Sequence, residues 1–410
     1  MKGITTIFFI INFITLFAQT ETGNLGTYIG NIIDNSLGSS GDNYVVPNQS
    51  QINSWNSIVN FILDENLVNA RSNADMINYQ ITEFIDISIS PNQVFYVLEE
   101  KSEQTFYWGT YVFSKTPSRN NLIIQAPHSK YDTNTGKQAV FCFKNIVARA
   151  VFINGTHRCN SDSFSSCSGT TSVCGSNDSY RLSDLAHTVN SMFQETTEIL
   201  LQTISNSVFI QLHGFGKNST DPYVIMSNGT RETPTTDYAV LIKDALLVED
   251  NTLTFKLAHI DQSWTRLIGF TNTQGRLINN STNPCNTSAA TTTGRFIHIE
   301  QEKSKLRDDQ NDWIKMSNAL ANVFSSTLSV NDYNFKNILI GPNPTSDKIN
   351  INNNYLKNVE IFSVYGQKIN VIQQVNNSKT IIDLNNQTSG VYFLRLKTEK
   401  GMITKKIIKL

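Results

Sequence analysis

The sequence predicts an α/β protein with a mixed, largely parallel sheet flanked by helices, followed by a small all-β sandwich. Strands alternate with amphipathic helices through the centre of the 410-residue chain, which is typical of α/β domains. Helical spacing then stops near Asp332, and only short strands with turn residues follow. We therefore expect a leader at 1–18, an α/β domain at 19–331 and a C-terminal domain at 332–410.

The elements are predicted from apolar periodicity. Residues 20–50 are expected to form a polar lead-in rich in glycine and asparagine. Helices are predicted at 51–67, 182–204, 238–248 and 312–328. Strands are predicted at 94–99, 105–113, 122–126, 148–154, 207–212, 253–258 and 296–299. The C-terminal strands are predicted at 348–351, 359–364, 380–383 and 391–398.

The first residues have the order of a signal peptide. Lys2 precedes an uncharged, mostly apolar run from Ile4 to Phe17, and Ala18 offers a small residue before a polar stretch. The run is shorter than the roughly 20 apolar residues of a membrane span, although an uncleaved anchor is the alternative. We expect a protein that is secreted, extracellular or attached to the cell surface, with no membrane span in its mature form.

The net charge and the cysteines indicate which partners and which covalent links to expect. A formal net charge of −1 argues against a nucleic-acid partner, because phosphate binding needs a basic surface. An exported chain permits disulfides, so we expect one or two bridges among the loop cysteines, with Cys142 as a buried free thiol. Zinc binding by these cysteines is the alternative, although their spacing fits zinc motifs poorly. The loop cysteines are Cys159, Cys167, Cys174 and Cys285.

The C-terminal segment carries several landmarks in order. They are Pro342-Asn343-Pro344, Val364-Tyr365-Gly366-Gln367, Leu384, Gly390-Val391-Tyr392-Phe393 and the lysine-rich end. With these landmarks the segment resembles the type A sorting domain of type IX secretion cargo. The resemblance implies recognition by the type IX secretion machinery. A carbohydrate-binding sandwich is the alternative, but the segment lacks an aromatic platform.

Histidines follow predicted strands in the α/β domain. Ligands bind outside the carboxyl ends of parallel strands, so residues at these ends converge although they are distant in sequence. His128 and His213 lie in tight turns with Pro127 and Gly214. A catalytic zinc needs three protein ligands and an open position, and Asp132 offers a carboxylate near His128. We therefore predict Zn2+ bound by His128, Asp132 and His213.

A general base is predicted at Glu300. This residue ends a strand that begins with Phe296, and a buried carboxylate is costly without a catalytic role or a partner. The alternative is an ion pair with a nearby cation such as Arg295, Lys303 or Arg307.

Three blocks of residues resemble N-formylglutamate amidohydrolases and related zinc-exopeptidase-like hydrolases. The blocks are Ala126-Pro127-His128-Ser129, Gln211-Leu212-His213-Gly214, and Ile297-His298-Ile299-Glu300 followed by Lys305-Leu306-Arg307. The resemblance implies a zinc-exopeptidase-like fold and cleavage of amide bonds in peptide-like or glutamyl-type substrates, with Glu300 as base. The interval from His128 to Asp132 departs from the family pattern, and the cysteine-rich loop has no counterpart.

Further residues are predicted around this centre. Arg158, Arg181 and Asn228 are expected to bind a small-molecule or peptide substrate, since arginine grips carboxylates in a bidentate manner. Asp184 and His157 are expected to support the metal ligands, although capping of a helix is the alternative role for Asp184. A non-catalytic surface-binding or adhesion protein and a metal-dependent esterase or phosphoesterase are the alternative functions.

Overall fold

The computed structural model describes residues 19–324, 326, 339–352, 356–369, 371–376, 379–398 and 401–410. The chain divides into two compact units, Met1–Thr327 and Leu328–Leu410. The predicted leader at 1–18 and the predicted boundary between 331 and 332 lie outside the described residues.

The first unit is built from alternating strands and helices. Its strands are β1 (Thr20–Gly23), β2 (Tyr79–Asp86), β3 (Gln93–Glu100), β4 (Thr110–Ser114), β5 (Arg119–Ala126), β6 (Ala148–Ile153), β7 (Thr170–Thr171), β8 (Asp178–Ser179), β9 (Val208–Phe215), β10 (Val224–Ser227), β11 (Phe255–Leu257) and β12 (Phe296–Glu302). Its helices are α1 (Leu25–Asn35), α2 (Gln49–Leu63), α3 (Leu67–Asp75), α4 (Thr135–Ile146), α5 (Met192–Thr203), α6 (Tyr238–Glu249), α7 (Thr273–Ile278), α8 (Lys303–Leu306) and α9 (Gln310–Val323).

Ten of these strands form one mixed sheet in the order β1-β2-β3-β4-β6-β5-β9-β12-β10-β11. Five of its nine pairings are parallel, including the central β6-β5-β9-β12 run. The other four are antiparallel. This arrangement confirms the predicted mixed, largely parallel sheet.

Each face of the sheet is covered by helices. One apolar core packs α1, α4, α6 and α9 against strand residues such as Ile124, Ile210 and Ile297. The other packs α2, α3, α5 and α7 against Ile123, Phe209 and Phe296. Neighbouring residues of a strand point to opposite faces, so strands buried on both sides read as continuous apolar runs.

The sequence predictions differ most from the structure in two regions. Residues 20–50 are not a polar lead-in, because β1 and α1 lie there and Leu25, Ile29 and Ile33 are buried in the core. The helix predicted from Leu182 begins only at Met192, where the Ser191 side chain accepts a hydrogen bond from the Gln194 amide. Turns occupy the preceding residues.

The cysteines confirm the disulfide prediction. Cys159 is bonded to Cys174 and Cys167 to Cys285, whereas Cys142 is free and buried in α4. The second bridge joins segments 118 residues apart. Disulfides of this kind hold loops that have little core of their own.

The second unit is the predicted all-β sandwich. Its strands are β13 (Leu339–Gly341), β14 (Lys348–Asn352), β15 (Leu356–Ser363), β16 (Lys368–Ile369), β17 (Ile372–Asn376), β18 (Lys379–Asp383), β19 (Gly390–Thr398) and β20 (Gly401–Lys409). They form two four-stranded antiparallel sheets, β13-β14-β18-β17 and β16-β15-β19-β20. Apolar residues from both sheets, including Ile349 and Leu394, make its separate core. Among the described residues, none of the helices combines the length and the hydropathy that a membrane span requires.

Candidate metal centre

A polar centre lies at the carboxyl ends of three parallel strands, β5, β9 and β12. His128 follows the end of β5 by two residues, and His213 and Glu300 lie near the ends of β9 and β12. In the register of β9 and β12, Glu300 is directly opposite His213. His128, His213 and Glu300 therefore lie together at this edge of the sheet.

The alternation of strand side chains explains why the centre is polar although the strands are buried. On one face of β9 the residues are Phe209, Gln211 and His213, and on β12 the same face carries Phe296, His298 and Glu300. Phe209 and Phe296 belong to the apolar core. The face therefore changes from aromatic to polar along the direction of the strands.

Asp132 reaches the centre through the turn that joins β5 to α4. The Asp132 amide donates a hydrogen bond to the His128 carbonyl at 3.1 Å, and the Thr135 hydroxyl donates to the same carbonyl at 3.3 Å. These bonds fold the five residues from His128 to Asp132 into a compact turn. Both side chains consequently point to one place.

Three acceptor atoms form a small triangle there. His128 Nδ1 lies 3.2 Å from Asp132 Oδ2 and 3.1 Å from His213 Nδ1. His213 Nδ1 lies 3.4 Å from the same Asp132 oxygen. All three side chains are buried and could together hold a metal ion.

Hydrogen bonds on the far side of each imidazole fix which ring nitrogen is free. His128 Nε2 lies 2.9 Å from Asp184 Oδ1, and His213 Nε2 lies 2.7 Å from Gln211 Oε1. Because a carboxylate and an amide oxygen only accept, both Nε2 atoms carry the proton in the neutral rings. Two lone pairs and a carboxylate oxygen then face one another, an arrangement that calls for a positive charge between them.

Gln211 is itself held in one orientation. Its Nε2 donates to Gln125 Oε1 at 3.0 Å and to Gln274 Oε1 at 3.2 Å, while its Oε1 also accepts from Asn272 Nδ2. All four amides are buried. The amide oxygen of Gln211 is therefore the atom that faces His213.

The charges around the triangle favour anionic Asp132. Burial opposes its ionisation, but the charges of Arg158 and His128 outweigh burial and lower the pKa of Asp132 well below its usual range. Arg158 Nη2 pairs with Asp132 Oδ1. Burial disfavours the imidazolium of His128 as well, yet Asp184 and Asp132 raise the pKa of His128. Burial lowers the pKa of His213 to about 4.

Glu300 differs from the other two carboxylates of the centre. Burial, and next the charge of Asp132, raise the pKa of Glu300 to about 8. Its Oε2 atom is buried without a hydrogen-bond partner among the described residues. The cations considered as its partners from the sequence do not form an ion pair with it in the described residues; Lys303, for example, pairs with Asp308. A buried carboxylate with a free oxygen is suited to take up a proton.

Of four further predicted residues, two contact the side chains of the triangle and two make their contacts with other residues. Asp184 contacts His128, and Arg158 contacts Asp132. Arg181 packs over the Phe164 ring and donates to the Asp162 carbonyl, so its side chain is held by its own loop. The buried Asn228 accepts hydrogen bonds from the backbone and hydroxyl of Thr230 in a turn after β10.

His157, the last of the predicted residues, is half-buried beside the centre. Its Nδ1 accepts a hydrogen bond from the Cys159 amide at 3.0 Å, and its ring packs edge-on against Tyr131. Burial lowers the pKa of His157 to about 4. Among the residues that the structure describes, no hydrogen bond or ion pair joins His157 to a member of the triangle, so its predicted supporting role stays a prediction.

Sequence reasoning missed His298 and Gln211. The His298 ring lies 4.4 Å from the His213 ring between centroids, and burial lowers the pKa of His298 well below its usual value. Each residue stands two positions before a predicted site residue on the same strand. That interval is the signal that could have identified both, because residues i and i+2 of a strand share a face.

Comparisons with known proteins support the division of the chain. Residues 340–410 match the family model of the secretion system C-terminal sorting domain. The match confirms the predicted sorting domain and indicates export. No curated protein matches the chain.

Several solved structures are similar to part of the chain at low identity. A candidate carboxypeptidase of Burkholderia mallei is 11% identical, with a TM-score of 0.31, over 53% of this chain and 60% of that chain. A metallo-carboxypeptidase of Burkholderia cenocepacia is 10% identical, with a TM-score of 0.30, over 52% and 59%. An N-formylglutamate amidohydrolase of Ralstonia eutropha is 9% identical, with a TM-score of 0.31, over 51% and 93%. The chain thus spans about three fifths of the length of the two carboxypeptidases.

Proposed function

We propose that the first unit is an exported zinc-dependent hydrolase of amide bonds. His128, Asp132 and His213 would be the ligands. The observation that supports the proposal is the triangle of acceptor atoms, with edges of 3.1, 3.2 and 3.4 Å. Zinc bonds of about 2.0–2.1 Å in tetrahedral geometry require ligand atoms about 3.3–3.4 Å apart, so the three donors fit the ion.

The kind and number of donors also fit a catalytic site. Two imidazoles and one carboxylate leave one of the four positions open, whereas structural zinc sites use four protein ligands, often cysteines. The four loop cysteines are paired in disulfides instead. A zinc ion at the open site would lower the pKa of water and polarise a substrate carbonyl.

The chain's own residues would then position and move protons. Asp184 and Gln211 hold the two imidazoles with Nδ1 free. Arg158 keeps Asp132 anionic. Glu300 would accept a proton from the attacking water at its unpartnered Oε2 and pass it to the leaving nitrogen.

The substrate class belongs to the same proposal. We propose peptide-like or glutamyl-type amides, on the basis of the three sequence blocks that resemble N-formylglutamate amidohydrolases. Arg158 lies next to the triangle and is the best placed of the three predicted substrate-binding residues. The sorting domain supports action outside the cell.

The test is hydrolysis of N-formylglutamate and of dipeptides by the purified, zinc-loaded protein, compared with Glu300→Gln. We expect the variant to retain zinc and lose about 10²–10⁴-fold in kcat. Glu302→Gln is the matched control, since Glu302 ends the same strand and hydrogen-bonds Ser304. Full amide hydrolysis by Glu300→Gln would show that another group is the base. Hydrolysis of esters alone would favour the esterase alternative.

A further inference from the structure

A second group of metal-ligating side chains shares one member with the triangle. His213, His298 and Glu300 offer ligand atoms within 4.8 Å of one another. Their exposed fractions are 3%, 4% and 6%. Neither the sequence blocks nor the proposed mechanism gives His298 a role.

Strand register brings the three residues together. His298 and Glu300 are two positions apart on β12 and share a face, and Glu300 is opposite His213 on β9. His298 Nε2 and Glu300 Oε1 are 3.7 Å apart, which is too long for a hydrogen bond. The three side chains are therefore close together, yet His298 and Glu300 do not form a hydrogen bond with each other.

Two atoms of this group lack the partners that buried polar atoms normally have. His298 Nδ1 and Glu300 Oε2 are buried and make no hydrogen bond among the described residues. Leaving such atoms unpaired is energetically costly, so their retention points to a ligand. Two imidazoles and a carboxylate are a donor set for zinc and similar divalent ions.

The two groups cannot each hold an ion at the same time. A neutral imidazole has one unprotonated nitrogen. In His213 the other nitrogen, Nε2, carries the proton and donates a hydrogen bond to Gln211 Oε1. We propose that His213, His298 and Glu300 form an alternative ligand set for the same divalent ion, competing with His128 and Asp132. This inference rests on the proposed zinc site and deepens it.

The alternative set has a chemical consequence. A Glu300 carboxylate that binds the ion no longer has a free lone pair for a water proton. The ion held by His213, His298 and Glu300 is therefore an inactive form. Movement of one ion between the sets would switch the general base on and off without a change in the backbone.

Zinc binding to the full chain tests the inference without measuring activity. Zn2+ alone is titrated calorimetrically into wild type, His128→Ala, His213→Ala, His298→Ala and His128→Ala/His298→Ala. We expect His128→Ala to bind one zinc about 10–100-fold more weakly than wild type, which is the scale of a disturbed site, and His213→Ala to bind far more weakly. As a single substitution, His298→Ala should have little effect on zinc affinity. In the His128→Ala background it should weaken zinc binding at least tenfold further.

Controls separate folding from binding. His187→Ala removes a partly buried histidine that stacks on Tyr180 and belongs to neither ligand set. If His128→Ala/His298→Ala does not fold, His128→Ala/Glu300→Gln replaces it. Equal loss of zinc in His128→Ala and His213→Ala, or no further loss in the double variants, would overturn the inference and leave the proposed function intact. A folded wild type that binds no zinc would overturn the proposed function instead.

Discussion

His128 Nδ1 and His213 Nδ1 lie 3.1 Å apart, although in the neutral rings neither atom carries a proton to share. Their protons are on Nε2, because Asp184 and Gln211 accept from those atoms. Two lone pairs at this distance repel unless a cation lies between them. The raised pKa of His128 has the same origin, since the surrounding carboxylates attract positive charge to this point.

The first prediction concerns Gln211. In Gln211→Leu, His213 Nε2 loses its acceptor and the ring is no longer held with Nδ1 toward Asp132. We expect zinc affinity to fall about 10–100-fold, as for other residues that orient a metal-bound histidine. Chelator competition with the purified protein measures the affinity.

Gln125→Leu is the matched control for Gln211→Leu. Gln125 belongs to the same buried amide network, but its bonds go to Gln211 and Thr197 and not to a histidine. Gln125→Leu should lower the stability of the protein but should reduce zinc affinity less than Gln211→Leu does. Equal losses of zinc affinity in the two variants would contradict the orienting role of Gln211.

The second prediction concerns Gly214. A Cβ at this position would overlap the Arg307 guanidinium, which hydrogen-bonds the carbonyls of Gln301 and Thr133. Gly214→Ala should displace Arg307 and loosen the turn that holds Asp132. We expect a loss of about 1–3 kcal/mol in the free energy of unfolding, typical of overpacking, together with weaker zinc binding.

Gly216 supplies the control, because a Cβ there would meet nothing within 4 Å. Urea unfolding of Gly214→Ala and Gly216→Ala gives the comparison. If the two variants are equally stable, Arg307 does not require the glycine at position 214.

The third prediction concerns pH and lies away from the centre. Burial raises the pKa of Glu99 above 4.5, despite hydrogen bonds from Tyr28, Gln80 and Thr82. The folded protein therefore binds more protons than the unfolded chain just above pH 4.5, and stability is lost as pH rises through this region. The free energy of unfolding of Glu99→Gln should accordingly increase relative to that of wild type as pH rises from 4 to 7.

The difference in the free energy of unfolding between Glu99→Gln and wild type, measured in urea at several pH values, checks this sign. The exposed Glu103→Gln is the control. A difference that shrinks as pH rises would mean that the Glu99 carboxylate is stabilised by folding.

Part of the site could be predicted from sequence because strands buried on both faces read as apolar runs. Such runs end at Ala126 and near His213, so the polar residues that follow were expected at one edge of the sheet. The same apolar context concealed Gln211 and His298. They are polar residues inside strands, and only the pairing of β9 with β12 shows that they face the centre.

Asp184 illustrates a second limit of the sequence. The apolar spacing from Leu182 to Ile204 favours one helix, but Leu185 packs in the core while Asp184 reaches His128. Successive turns place Leu185 in the core and Asp184 beside His128, and the helix starts after Ser191. Tertiary contacts thus decide a boundary that local periodicity cannot.

X-ray absorption at the zinc edge of the purified full chain tests the central claim most directly. The account predicts one zinc per chain, removable by a chelator, with only nitrogen and oxygen ligands at about 2.0–2.1 Å. His213→Ala should abolish this signal in a folded protein. A sulfur shell near about 2.3 Å, or a folded wild type that binds no zinc, would contradict it.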